Sequence, residues 1–204
     1  MARNDSDVCI IGEIVRNGVF AYERDGENFY EILIKVAGFQ TALIGNVTFL
    51  PVIISERVLE NVQSCKGNRI LVSACIYSYA KKDKDGRSRI HCEMRAQYVM
   101  PPDVKDSDIA SLRGYLCKPP IIKKTADGQT LVNALLCLSR DENISDYIPI
   151  ICTSKMVECL EKVSVGDEIA AVGVIQGQDS EDTSEEDLKI IMTNCIKVPP
   201  KPQS

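Results

Sequence analysis

The chain of 204 residues contains no tryptophan and only one histidine, His91. A zinc site needs clustered ligands, and a single imidazole with no Cys-x-x-Cys pair offers none. His91 is followed by Cys92, but neighbouring strand residues point to opposite faces, so the two do not form a catalytic dyad. No phosphate-binding glycine loop and no nucleophile elbow occur. The expectation is a protein without enzymatic activity, cofactor or metal. No run of 18 apolar residues exists, so no membrane-spanning helix is expected. The opening MARNDSDV lacks the apolar core of a signal peptide, which points to the cytoplasm. The nine cysteines, an odd number lying largely in apolar runs, then read as reduced thiols acting as small hydrophobes.

What is present is said nearly twice. Gly12 and Asp25-Gly26 recur as Gly114 and Asp127-Gly128, at an offset of 102. Phe49-Leu50-Pro51-Val52-Ile53 recurs as Tyr147-Ile148-Pro149-Ile150-Ile151, at an offset of 98. Ser55 onward recurs from Ser154, at an offset of 99. A repeat of this length is a duplicated domain, since solenoid units run only about 20–50 residues.

Each copy reads strand, loop, strand, strand, helix, strand, loop, strand. In copy 1, residues 8–16 are apolar, and Gly12 among them suggests a bend or bulge. Asp25-Gly26 marks a turn, and residues 28–36 alternate with the period of a half-buried strand. Residues 47–54 are β-branched. Ser55 is placed to cap a short helix carrying Val58, Leu59 and Val62 on one stripe. On the strand 69–79, Ile70, Val72, Ala74 and Ile76 are expected inward, with Arg69, Leu71, Ser73, Cys75, Tyr77 and Tyr79 outward. A last strand covers about 89–99. Copy 2 follows with strands near 111–117, 130–138, 147–152, 168–176 and 188–197, and a helix near 155–163. The fold class is therefore mainly all-β. Two tandem five-stranded OB-fold barrels are expected, each with one short helix between strands 3 and 4. The domains are 1–102 and 111–198, joined by the linker 103–110 and followed by the tail 199–204.

The net charge of −5 argues against a nucleic-acid partner, but its distribution is uneven. Residues 80–89 hold five basic and two acidic side chains, whereas residues 177–188 hold six acids and no base. A single strand is bound by cations for its phosphates and flat side chains for its bases. Copy 1 supplies Arg16, Phe20, Tyr22 and Arg24 in its first loop, and Lys35, Arg69, Tyr77 and Tyr79 on outer strand faces. Lys81, Lys82, Lys84, Arg87 and Arg89 follow in the last hairpin. Copy 2 adds only Lys118, Lys123, Lys124, Arg140 and Lys155, with Tyr115 and Tyr147 as rings. Lysines in a hairpin also serve simply to keep it solvated. The outward residues Ala170, Val172 and Val174 are apolar, and they suggest a contact with the other repeat or with a second chain.

Copy 2 resembles the bacterial single-stranded DNA-binding protein family. The resemblance is carried by LRGYLCKPPIIKKTADGQTLVNALLCLS and DYIPIICTSKMVECLEKVSVGDEIAAVGVIQG. Within these segments it rests on Gly114, Leu116, Asp127-Gly128, Asp146-Tyr147-Ile148-Pro149 and Gly166-Asp167. It reaches copy 1 through the duplication. Some members carry two such domains per chain and dimerise to present four. The family stacks bases on tryptophans, which this chain lacks, and ends in an acidic tail, where this chain has VPPKPQS. The resemblance implies binding of single-stranded DNA, or RNA, without sequence choice, in replication, recombination or transfer of mobile elements. Other replication proteins are candidate partners. The competing expectation is an interaction scaffold built on degenerate barrels.

Overall fold

The computed structural model describes residues 5–37, 47–65, 67–82, 85–125, 128–141, 144–153, 156–177 and 188–199. Copy 1 comprises β1 (Ser6–Arg24), β2 (Glu27–Ala37), β3 (Val47–Ser55), α1 (Glu56–Ser64), β4 (Arg69–Lys82) and β5 (Ser88–Met100). The order β1-β2-β3-β5-β4-β1 closes on itself, with β3 and β5 parallel and the other pairs antiparallel. That closure is the OB-fold barrel. Alternation puts Ile10, Ile32, Ile34, Leu50, Val72 and Ile76 inside, essentially without solvent contact. Each buried side chain of this size contributes about 1.5–3 kcal/mol. Helix α1 buries Val58 and packs Leu59 and Val62 on the same cluster. Ser55 precedes α1, but its side chain makes no capping hydrogen bond, contrary to the expectation from sequence.

Copy 2 comprises β6 (Ser107–Leu116), β7 (Ile121–Lys124), β8 (Thr130–Asp141), β9 (Ile144–Thr153), α2 (Val157–Glu161), β10 (Glu168–Gln176) and β11 (Lys189–Lys197). The order β6-β8-β9-β11-β10-β6 repeats the closure, with β9 and β11 as its parallel pair. Strand β6 starts inside the segment read as linker.

The two copies differ most in their first hairpin. In copy 1 the segment read as a loop is strand: β1 continues through Arg16, Phe20 and Tyr22 to Arg24, paired with β2 across three register shifts. Asp25 (φ 53°) and Gly26 (φ 79°) then turn it in two residues, the left-handed pair that matches strand twist. In copy 2, Pro119-Pro120 cannot donate to a ladder, so the strand breaks and resumes as the short β7.

The barrels share a seam. The N-terminal half of β1 pairs antiparallel with β6, so one sheet runs through both barrels. Val8 stands opposite Ala110, its own counterpart at the offset of 102, which is the signature of a two-fold axis between the copies. The contacts on either side of the seam obey the same symmetry. The Ser78 N–H donates to Asp146 Oδ1 (2.6 Å), and the Gly177 N–H, in the matching place, donates to Thr48 Oγ1 (2.9 Å). A single apolar cluster runs from one barrel into the other.

Candidate nucleic-acid interface

Two hairpins of copy 1 form the candidate surface. The first is the outer part of β1 with β2, whose register shifts mark bulges that bend it over the barrel wall. The second is β4 with β5, where the alternation of His91, Cys92, Glu93, Met94 and Arg95 sends Cys92 and Met94 into the core and the polar residues outward. The hairpins meet at Tyr22. Its hydroxyl donates to Glu93 Oε1 (3.2 Å), and its ring stacks on Phe29 at 5.1 Å. Burial, then the Glu93 charge, raise the phenol's pKa above its ordinary value and keep it a donor. Arg95 donates to the same Glu93 oxygen (2.5 Å) and lies over the Tyr22 and Tyr77 rings, at 6.0 and 4.4 Å from their centroids. Tyr79 stands across from His91, ring centres 5.0 Å apart, and is 42% exposed. Between the hairpins lies a cleft of about 210 Å³ lined by Tyr22, Tyr79, His91, Glu93 and, from copy 2, Leu188.

The expected site residues divide into three groups. The first presents itself to solvent: Phe20 and Arg24 on the first hairpin, Tyr79, Lys81, Lys82, Arg87 and Arg89 on the second, and Lys118, Lys123 and Lys124 in copy 2. Lys81 lies directly opposite Arg89, so two cations face one way from one rung of the ladder. Arg24 is 3.4 Å from the open Asp25 carboxylate, a surface pair of little strength.

The second group is already engaged. Arg16 pairs with Glu31 (2.6 Å). Arg69 holds the inter-barrel segment through Asp106 (2.5 Å) and the Val104 carbonyl (3.1 Å), rather than standing free. Tyr77, expected on an open face, is half-buried between the Arg95 and Arg140 guanidiniums, the latter at 4.6 Å. Arg140 is not a free cation either: it is clamped on the buried Asp146 at the seam, where its Nε donates at 2.7 Å to Oδ2. Lys35 is half-buried on β2. The third group, Lys84, Lys155 and the acids at 179–187, lies outside the described residues.

The apolar residues of β10 also separate. Val174 is buried with Ile191 and Ile151, Ala170 is half-buried, and Val172 is 44% exposed. The two repeats pack through β1 on β6, β4 on β9 and, symmetrically, β3 on the end of β10, whereas Val172 pairs with Ser111 inside copy 2 and stays exposed. The residues that sequence reasoning missed are Glu93, Arg95 and Phe29. The polar-apolar alternation of 91–95 was the available signal, but their partners become neighbours only when the first hairpin folds over β5.

Of the thiols, Cys75, Cys92, Cys152 and Cys195 are buried, whereas Cys9, Cys65, Cys117, Cys137 and Cys159 are half-buried. Burial pushes Cys152 up to about 12, and it raises Cys195, whose sulfur sits 3.0 Å from that of Cys159. All nine cysteines are free. Among the described residues no helix is long and apolar enough to cross a membrane, and no cluster of three or more metal-ligating side chains forms.

The closed barrels define a tandem OB-fold protein. Over 100% of this chain and 97% of the other, the structure is similar to the wild-type single-stranded DNA binding protein from Thermus aquaticus, with a TM-score of 0.74 and 16% identity. A deletion mutant of that protein matches with a TM-score of 0.71 and 16% identity, covering 99% of this chain and 100% of the other. No family model matches the sequence, and no curated protein sequence matches it.

Proposed function

We propose that the protein binds single-stranded nucleic acid, DNA first, chiefly through copy 1. In this reading it is a binding protein of the single-stranded DNA-binding family and not an enzyme, acting in the cytoplasm. It would protect exposed strands in replication, recombination or mobile-element transfer. The observation that carries the reading is the convergence of two hairpins that place Tyr22, Tyr79 and His91 around one cleft, with Lys81, Lys82, Arg87 and Arg89 exposed along one of them. Rings stack on bases, and cations meet phosphates. The whole-chain likeness to the Thermus aquaticus protein supports it.

Fluorescence anisotropy of labelled oligo-dT at several salt concentrations tests the reading. Each phosphate contact contributes a slope of about 0.7 in log affinity against log salt. The triple variant Lys81→Gln, Lys82→Gln, Arg89→Gln should bind more weakly and flatten the slope by about two units. A wild-type protein that leaves the oligonucleotide free at low salt overturns the reading in favour of an interaction scaffold.

A further inference from the structure

Glu93 is out of place on a surface meant for phosphates. Its side chain is only 12% exposed, and it lines the cleft beside Tyr22, Tyr79 and His91. Both of its hydrogen bonds fall on Oε1, from the Tyr22 hydroxyl at 3.2 Å and the Arg95 Nε at 2.5 Å. Oε2 takes none among the described residues. An ionised carboxylate only accepts hydrogen bonds, and this second oxygen, which solvent still reaches, is open to a donor from a ligand. Arg95 offsets the charge, so the site need not repel a strand, but it does not occupy the second oxygen.

The cleft has two further properties. Its rings make it a place for a flat group: Tyr22 is held against Phe29 and by its hydroxyl, and Tyr79 lies against His91. It is also small, about 210 Å³, and lies between the two hairpins rather than along them. A flat ligand bearing an N–H donor at its edge satisfies both the rings and the free oxygen. Two kinds of N–H lie on the edges of pyrimidines: the exocyclic amino group, as at cytosine N4, from which acidic side chains accept, and the ring N3–H of uracil and thymine, where an acceptor faces a carbonyl oxygen on either side. A 4-carbonyl in that place would instead put an oxygen against an oxygen.

We propose that this cleft takes one base of the bound strand and selects a base with an exocyclic amino group, cytosine over uracil or thymine, by accepting its N–H at Glu93 Oε2. The inference rests on the reading of the protein as a single-strand binder and adds a base preference to it.

The test compares labelled oligo-dC and oligo-dU of equal length in anisotropy titrations with the full chain. The two share backbone and ring size and differ at the 4-position and the ring nitrogen beside it. Oligo-dC is expected to bind about tenfold more tightly, which corresponds to ~1.4 kcal/mol. In Glu93→Gln the side chain keeps an acceptor for Tyr22 and gains an amide that can serve either base. The ratio should fall to near one, while loss of the negative charge raises affinity for both strands. Equal affinity of the unaltered protein for oligo-dC and oligo-dU overturns the base preference and leaves single-strand binding standing. A ratio unchanged by Glu93→Gln overturns the role of the carboxylate. Failure to bind either strand removes the functional reading and the preference together.

Discussion

Asp108 is the residue whose environment departs furthest from what its chemistry prefers. It is fully buried on β6, opposite Ile10 across the seam, and neither carboxyl oxygen makes a hydrogen bond of normal geometry among the described residues, although the Ile175 amide lies close enough to favour the charge slightly. Burial raises its pKa from 3.8 to about 7. The folded protein therefore holds this proton more tightly than the unfolded chain. Stability is greatest below about pH 4 as far as this group is concerned, falls as pH rises to about 7, and levels off above it. The ceiling on the loss is roughly 4 kcal/mol, from ~1.4 kcal/mol per pKa unit. The symmetric position is Ser6, whose uncharged hydroxyl accepts from the Ile76 amide at 2.9 Å. Asp108→Ser should thus raise the urea midpoint at pH 8 and leave it nearly unchanged at pH 4. A variant destabilised equally at both values would mean that the carboxyl holds the seam together in its charged form.

At the scale of elements, the barrels close where β1 crosses β2 and β6 crosses β8. Gly12 and Gly114 occupy the crossing. A methyl group at Gly12 would sit 2.4 Å from the Lys35 carbonyl oxygen, and one at Gly114 2.6 Å from that of Cys137. Alanine at either position should cost about 1–3 kcal/mol or more, since the obstacle is backbone and cannot rotate away. Thermal melts of the two single variants test this, and a melting point within a degree of wild type would show that the crossing opens freely. The strands, the turn at Asp25-Gly26 and the helix stripe were legible in the sequence, because alternation and turn chemistry are local. In sequence Gly12 reads as a bend; its actual duty, admitting a second strand, depends on a residue distant in sequence. The length of β1 is hidden in the sequence for a related reason. Arg16, Phe20, Tyr22 and Arg24 read as a basic, aromatic loop until pairing with β2 is seen. The candidate site was half legible: the exposed lysines and Tyr79 stand where alternation puts them, but Arg69, Tyr77 and Arg140 are spent on partners from other segments.

At the scale of the molecule, the sheet through both barrels leaves an outer face on which apolar side chains stand exposed beside Asp7, Ser111 and Arg113. Tyr98, Ser73, Cys9 and Ile109 are successive cross-strand partners, and Met100 pairs with Leu71 beside them. Val172 opposite Ser111 and Ile196 opposite Ala170 extend the face into copy 2. Tyr98, Met100, Ile109, Val172 and Ile196 are each exposed. We propose that two chains cover this face mutually and so present four barrels. Val172→Glu should then convert a dimer into a monomer in sedimentation velocity at micromolar concentration. A wild-type chain that sediments as a monomer there removes the proposal.

The axis through Val8 and Ala110 carries a consequence for how such a chain can diversify. Where two identical polypeptides meet about a symmetry axis, every substitution is made twice, and a residue on the axis confronts itself. An aspartate in the place of Ser6 would then bring a second buried carboxylate with it across the same seam. Joining the halves into one polypeptide removes that rule, and each half becomes free to change alone. The present chain uses that freedom: one side of the seam keeps serine while the other holds aspartate, and residues 80–89 are basic where the matching stretch of sequence, 177–188, is acidic. Covalent linkage has here turned a symmetric object into one whose two ends can be assigned different tasks.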